Sequence, residues 1–422
     1  MHAGDTAWVL VSAALVLFMT PGLALFYGGM VRSKNVLSVL VQCFLAMGLV
    51  TVLWAVLAFS LAFGGGSADR VIGDLGLVGL GGLSHGLAGF HHLRVSPDAV
   101  MVFQMMFAVI TAALLVGAGA DRMRLAGFAV LLVGWLLLVY APVAHWVFSP
   151  TGWLARLGVR DFAGGTVVEI NSGFSALALA LVLGRRRGWP REPMRPHSIP
   201  LTVVGAGILW FGWFGFNAGS ALAANASAVT AFVNTQLAAA AGLLGWVAFE
   251  AVKDRVTTAL GAVSGAVAGM VAITPCAGFV GPMPALLIGA VAGLVCPLAV
   301  QVKYRFLYDD SLDVLAIHGV GGLIGMVLLG VFAERSLTGG APGLAFGGVH
   351  LFGVEVLAAV VTAVYCFTLT YGLARLVERF VGLRARPDEE QQGLDISLHG
   401  ENAYSSAAPG QLVPSAGGRE GT

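Results

Sequence analysis

The chain has 422 residues, of which 58% are hydrophobic and only 11% are charged, against about 25% charged in a soluble domain. That balance excludes a water-soluble fold. A net charge of +1 singles out no partner and gives no reason to expect a nucleic-acid interface.

Apolar runs long enough to cross a hydrocarbon core recur along the chain, which needs roughly 20 helical residues per crossing. They are apolar on every face, as in 36–63 and 125–147, where a β-barrel would alternate. The fold class is therefore an all-α integral membrane protein. Breaks at charged or Pro/Gly-rich loops predict eleven transmembrane helices, near 7–30, 37–63, 99–119, 125–147, 163–184, 199–217, 229–250, 257–274, 282–301, 312–333 and 348–379. The first run lacks the basic n-region of a signal peptide and is too long for an h-region, so it reads as an uncleaved span.

Eleven spans put the two ends on opposite sides. Of the 23 Lys and Arg residues, only Arg70, Arg94, Arg156, Arg160 and Arg335 fall in one set of loops. The rest, including five arginines from Arg185 to Arg195, fall in the other. The positive-inside rule then predicts an outside N-terminus and a cytoplasmic C-terminus. Residues 1–380 form the expected transmembrane domain and 381–422 a cytoplasmic regulatory tail, with a Gly/Ser/Pro-rich end expected to be disordered. The cysteines Cys43, Cys276, Cys296 and Cys366 sit in or beside apolar runs without metal-ligand spacing. Neither disulfides nor a metal site is expected, and no cofactor is implied.

Asp161 precedes Glu169 by eight residues in DFAGGTVVEINSG, and Asp310 precedes His318 by eight in DSLDVLAIHGVGG. Each pattern opens a glycine-rich apolar helix, spans five and ten. Spans one to five and six to ten thus read as an inverted 5+5 repeat with an eleventh helix added. Glu169 and His318 are ionisable side chains inside apolar helices, a placement that costs at least roughly 2.5 kcal/mol and normally marks an interior path with a partner. A structural hydrogen bond between buried helices is the plainer alternative. Asp161 reads as a helix cap, a structural role shared by Asp310 and Asp313 at the matching turn. His145, Glu250, His350 and Glu355 lie near span ends, within reach of the interface or a neighbouring backbone. No nucleophile with base and orienter appears, so an enzyme is not expected.

The segments DFAGGTVVEIN, WFGFNAGSALAAN from Trp213 to Asn225, DDSLDVLAIHGVGG and GLDISLHGENAY from Gly393 to Tyr404 resemble the Amt/Mep/Rh ammonium transporters, Amt branch. The resemblance runs from the FYGGMVRSKN exit of span one to the tail. It implies a homotrimer in the inner cell membrane, one pore per subunit, and transport of ammonium or ammonia, with methylammonium left open. By motif match it implies a gate of stacked phenyls at Phe107 and Phe216. An outer recruitment site is implied at Ser220, Phe107, Phe148 and Phe103, with Trp213 beside the pore pair. Phe148 stands where the family usually has tryptophan; Trp146 lies two residues away, about 200° around a helix. Glu169 stands where the family usually has the first of two pore histidines, as in some fungal members. The tail motif resembles the stretch through which relatives answer to PII signalling proteins. Electrogenic transport through the Glu169/His318 pair is the expectation, with an ammonium sensor and a neutral ammonia channel as alternatives.

Overall fold

The computed structural model describes residues 1–66 and 70–404. Of the tail expected to be partly disordered, residues 405–422 lie outside the described residues. Among the described residues there is no β-strand beyond one bridge between Met123 and Arg384.

Among the described residues, ten helical segments are long and apolar enough to cross a membrane. With one shorter helix they are, in chain order, α1 (Ala3–Met30), α2 (Ser33–Phe63), α3 (Pro97–Gly119), α4 (Leu125–Leu157), α5 (Gly165–Leu183), α6 (Ile199–Gly219), α7 (Ala226–Lys253), α8 (Ala259–Ile273), α9 (Pro282–Phe306), α10 (Leu315–Phe332) and α11 (Val349–Phe380). The apolar run expected to form a full eighth span yields only the 15 residues of α8, about 22 Å of helix. Its start is fixed by Thr258, whose side chain accepts from the Gly261 amide. Its end comes at Thr274, which is itself still in the helical region, and the following Pro275 has no N–H with which to continue the helix.

Side-chain caps set three further helix starts. Ser96 accepts from the Ala99 amide with Pro97 at the first helical position, Ser198 accepts from Leu201, and Asn225 accepts from Ala228. These are the residue types that satisfy free amides at an N-terminus.

Packing inside the bundle relies on small residues, since lipid offers no hydrophobic drive for helices to associate. Helix α1 lies along α6, with Gly22 against the Gly205 carbonyl and Gly205 against the Phe26 backbone. Gly242 of α7 faces Gly265 and Gly269 of α8 and Gly293 of α9. The contacts fall into corresponding sets: α1 meets α2 and α3 as α6 meets α7 and α8, and α2 meets α3 and α4 as α7 meets α8 and α9. Helix α11 packs on α5.

Helices α5 and α10 cross antiparallel at the centre. Gly173 abuts the Gly319 backbone, and Gly322 abuts Glu169 and the Gly165 carbonyl. Both helices open with a π-helical stretch, Gly165–Ile170 in α5 and Leu315–Gly319 in α10. Such wide turns are rare and often mark functional sites.

The tail up to Tyr404 folds back onto the bundle. Pro387–Gln392 forms a short helix, and the Asp395 carboxylate accepts from the Leu37 and Ser38 amides. Asn35 Oδ1 accepts from the Leu394 amide, and Lys34 Nζ donates to the Glu390 and Gln391 carbonyls. All four cysteines are buried and unpaired in disulfides.

Candidate functional site

The geometry at the centre follows from how α5 and α10 begin. Asp161 Oδ1 accepts from the Gly164 and Gly165 amides at 2.8 and 2.7 Å, and Oδ2 accepts from the amide and hydroxyl of Thr166 at 2.7 and 2.5 Å. Gly164 has φ +108°, a conformation open to glycine at little cost. Burial raises the Asp161 carboxyl above the usual range, and these hydrogen bonds oppose the rise. On the matching side, Asp310 Oδ2 accepts from the Leu315 amide at 2.8 Å. Asp313 lies off that helix start and pairs with Lys303 Nζ at 2.5 Å.

So held, α5 and α10 bring their ionisable residues together. His318 Nδ1 lies 2.7 Å from Glu169 Oε2, with Glu169 1% and His318 5% exposed. A carboxylate can only accept, so against ionised Glu169 the imidazole donates from Nδ1 and leaves Nε2 free for a second contact. The pair borders a cavity of about 20 Å³ whose other walls include Ile110, Leu209, Val267, Trp213 and Phe216. That volume holds about one water-sized molecule. The indole of Trp213 donates to Thr274 Oγ1 at 3.0 Å, which fixes its ring beside the pair.

Phe216 closes one end of the cavity. Its ring stacks on Phe107 with centroids 4.2 Å apart and planes 16° from parallel. Phe107 in turn meets Phe103 at 4.9 Å and Phe148 at 6.3 Å, edge-on. Beyond the stack lies a vestibule of about 390 Å³ lined by Phe148, Ser220, Gln104, Asp161 and Phe162, among others. Ser220 is half-buried and donates to the Phe216 carbonyl at 2.9 Å. The residues expected at the pore from the sequence are joined by contacts from vestibule to pair: Phe148 and Ser220 line the vestibule, Phe107 and Phe216 stack between, Phe103 packs on Phe107, and Phe216 and Trp213 wall the cavity at Glu169 and His318. Trp146 does not join them: its indole donates to the Val71 carbonyl and its ring packs on Tyr365 and Trp153. His145 and Glu355 are fully buried, and each binds a neighbouring backbone group, the Ala62 carbonyl and the Arg160 amide.

At the far end of α5 the structure shows a cluster that was not foreseen. Arg122, fully buried, donates to the Ser311 hydroxyl and the Asp309 carbonyl, both at 2.5 Å. Arg186 binds the Asp309 carboxylate through Nε and Nη2 at 2.9 and 2.8 Å, and Arg32 binds Asp121 at 2.9 Å. Burial pushes the Arg122 guanidinium down to about 10. Burial also acts to raise the Asp309 carboxyl, but Arg186 and Arg122 outweigh it and hold Asp309 below its ordinary value. The cluster adjoins a second recess of about 260 Å³, lined in part by Arg186, Lys303, Tyr304, Ser311 and Asp313. The sequence signal was present only as charged residues in loops, with partners more than 60 positions apart.

A helical bundle with an aromatic stack and a buried Glu–His pair between two recesses is the architecture of a multi-pass membrane transporter. The profile of the Ammonium Transporter Family matches residues 7–404. The ammonium transporter of Bacillus subtilis strain 168 is 45% identical over 409 residues, covering 96% of this chain and all of that one. The crystal structure of Saccharomyces cerevisiae Mep2 superposes with a TM-score of 0.86 at 35% identity, covering 92% of this chain and 88% of that one. A structure described as a sensor Amt protein gives 0.85 at 29% identity, covering 94% and 98%. The chain belongs to the ammonium transporter family, a family of membrane transporters rather than enzymes.

Proposed function

We propose that the line from vestibule to pair is a pore for ammonium that separates the ion into ammonia and a proton. The observation that carries this is the buried 2.7 Å contact between Glu169 and His318 behind the Phe107/Phe216 stack. Ammonium is recruited where Ser220, Phe148, Phe107 and Phe103 meet the vestibule. A bare cation leaving water for an apolar path faces a Born penalty of tens of kcal/mol, of which an aromatic face returns about 0.5 to 2. Desolvation depresses an amine's pKa by up to about 3 to 5 units, so passing the phenyl gate favours proton loss. Ammonia crosses the apolar cavity, and Glu169 with His318 takes the proton. The two are joined by one 2.7 Å contact, so the proton belongs to the pair. Transport on this scheme is electrogenic. Potassium has no proton to lose and is left on the outside.

The surrounding architecture supports the same scheme. Counting α8 as a shortened span gives eleven, with an outside N-terminus, a cytoplasmic C-terminus and two inverted halves related by the matched contacts and the crossing of α5 and α10. Residues 1–380 form the transporter and 381–422 the regulatory tail. The functional unit is a homotrimer, and the docked stretch from Gly393 to Tyr404 is where a PII-type protein acts. The likeness to a sensor Amt protein keeps signalling in view, but relatives at 45% identity are named ammonium transporters. Replacing Glu169 with histidine tests the pair: in proteoliposomes, Glu169→His should shift the pH dependence of the ammonium current, and an unchanged profile would remove Glu169 from the proton path.

A further inference from the structure

The two carboxylates that open α5 and α10 are placed alike but satisfied differently. Asp161 uses both oxygens, accepting four hydrogen bonds. Asp310, 1% exposed, spends Oδ2 on the Leu315 amide and has the Val314 amide close to its carboxylate, while its Oδ1 is buried without a hydrogen bond of good geometry. A buried carboxylate oxygen without a well-placed donor is costly as an anion and is relieved by a proton. A residue needed only as a cap would gain from the second set of bonds that Asp161 has.

Its surroundings join it to the pore. Tyr27 on α1 directly follows Phe26, which with Leu114 walls the cavity that Glu169 and His318 border. Its hydroxyl donates to the Leu114 carbonyl. A Cβ built on Gly117 would meet that hydroxyl at 2.9 Å and the Val314 side chain at 2.6 Å, so the phenol sits against the start of α10. On the other side, Asp310 neighbours Ser311 and Asp313 of the second recess. The charged and titratable groups around it include Asp313, Lys303, Tyr27 and Tyr308, together with Asp309 and Arg122, whose guanidinium bonds the Asp309 carbonyl and the Ser311 hydroxyl on either side of Asp310 while Asp309 itself is held by Arg186. Lys303 is committed to Asp313 and to the Asp310 backbone carbonyl, so the Asp310 carboxylate keeps no direct cationic partner.

We propose, building on the transport scheme above, that Asp310 is the inner proton terminal of the pore. The proton that leaves ammonium breaks an N–H bond at the Glu169/His318 pair and passes to Asp310 Oδ1, forming an O–H bond. It then leaves Asp310 for ammonia arriving at the second recess, re-forming ammonium. Chains of Asp, Glu and His are the usual membrane relay. Burial, with Asp313 adding to it, raises the Asp310 carboxyl to about 6, so it exchanges protons near neutral pH.

Asp310→Asn keeps an oxygen to accept from Leu315 but carries no proton. In proteoliposomes, the ammonium-evoked current of Asp310→Asn should fall by about a hundredfold, the scale of a lost proton-transfer group. Ammonia that still enters Asp310→Asn arrives without the relayed proton and takes one from the lumen, so a trapped pH dye should report a larger alkalinisation than in wild type, while the melting temperature stays near wild type and Asp310→Glu restores the current. Wild-type current without change in Asp310→Asn would overturn the assignment while leaving the transport scheme intact; no current in wild type would overturn the scheme itself. Should Asp310→Asn fail to fold, infrared spectra of wild type and Asp310→Glu decide: a protonated carboxyl band titrating near pH 6 and displaced in Asp310→Glu is expected, and no such band overturns the assignment.

Discussion

Gly173→Ala tests how closely the pore pair depends on the crossing of α5 and α10. A Cβ at Gly173 would lie 2.2 Å from the Gly319 nitrogen and 2.3 Å from its Cα, where ordinary contact begins at 3.4 Å. The obstructing atoms are backbone, so no side chain can swing away, and the helices must part by about 1.2 Å. Gly173 is one turn beyond Glu169, and Gly319 directly follows His318. Parting the helices therefore stretches the 2.7 Å contact to roughly 4 Å, beyond hydrogen-bond range. Overpacking of this kind costs about 1–3 kcal/mol, enough to weaken the fold without abolishing it. In proteoliposomes the ammonium current of Gly173→Ala should fall severely, while size-exclusion profiles stay monodisperse. Gly207→Ala, where the Cβ meets nothing within 4 Å, is the matched control and should behave as wild type. Wild-type current in Gly173→Ala would refute the dependence of transport on this crossing.

Other positions give separate tests. Phe148→Trp should strengthen cation attraction at the vestibule by about 0.5–1 kcal/mol, lowering the half-saturating ammonium concentration roughly two- to fivefold, read from current against concentration. Asp161→Ala removes all four accepted hydrogen bonds at the start of α5 and should cost more than the roughly 0.5–2 kcal/mol of an ordinary cap, seen as a lower melting temperature. Asp309→Ala removes the carboxylate that Arg186 grips through Nε and Nη2 and leaves it only the more distant Asp121 at 3.6 Å, and losing one member of a buried ion pair costs about 3–5 kcal/mol. Because Asp309 is held below its ordinary value of 3.8, its stabilisation is present above that pH and is lost as pH falls through the depressed value. Melting curves of wild type should therefore drop in that acid window, and those of Asp309→Ala should lack this component of the drop.

How much of this was legible in the sequence depended on the range of the interaction. Apolar runs report span existence directly, so α1 to α7 and α9 to α11 appear near their expected positions; the shortening of α8 arises from the Thr258 cap and the turn at Pro275. Glu169 and His318 stood out because an ionisable residue in an apolar helix is conspicuous, and their equal spacing from Asp161 and Asp310 linked them before any distance was known. The stack of Phe107 on Phe216 was accessible only through family resemblance, since the chain has 24 phenylalanines and nothing local distinguishes these two. The Arg122, Arg186, Asp309 and Asp121 cluster was not legible: its members sit in three loops that only the folded bundle brings together. The Asp310 oxygen without a well-placed donor is likewise a property of the fold.

The central claim is that the buried Glu169/His318 pair carries the proton released by ammonium. Its most direct test is the transient current of purified protein in liposomes after an ammonium jump, with Glu169→Gln, empty liposomes and a potassium jump alongside. A saturable ammonium current that disappears in Glu169→Gln, with none for potassium, is the predicted result; a Glu169→Gln current equal to wild type would contradict it.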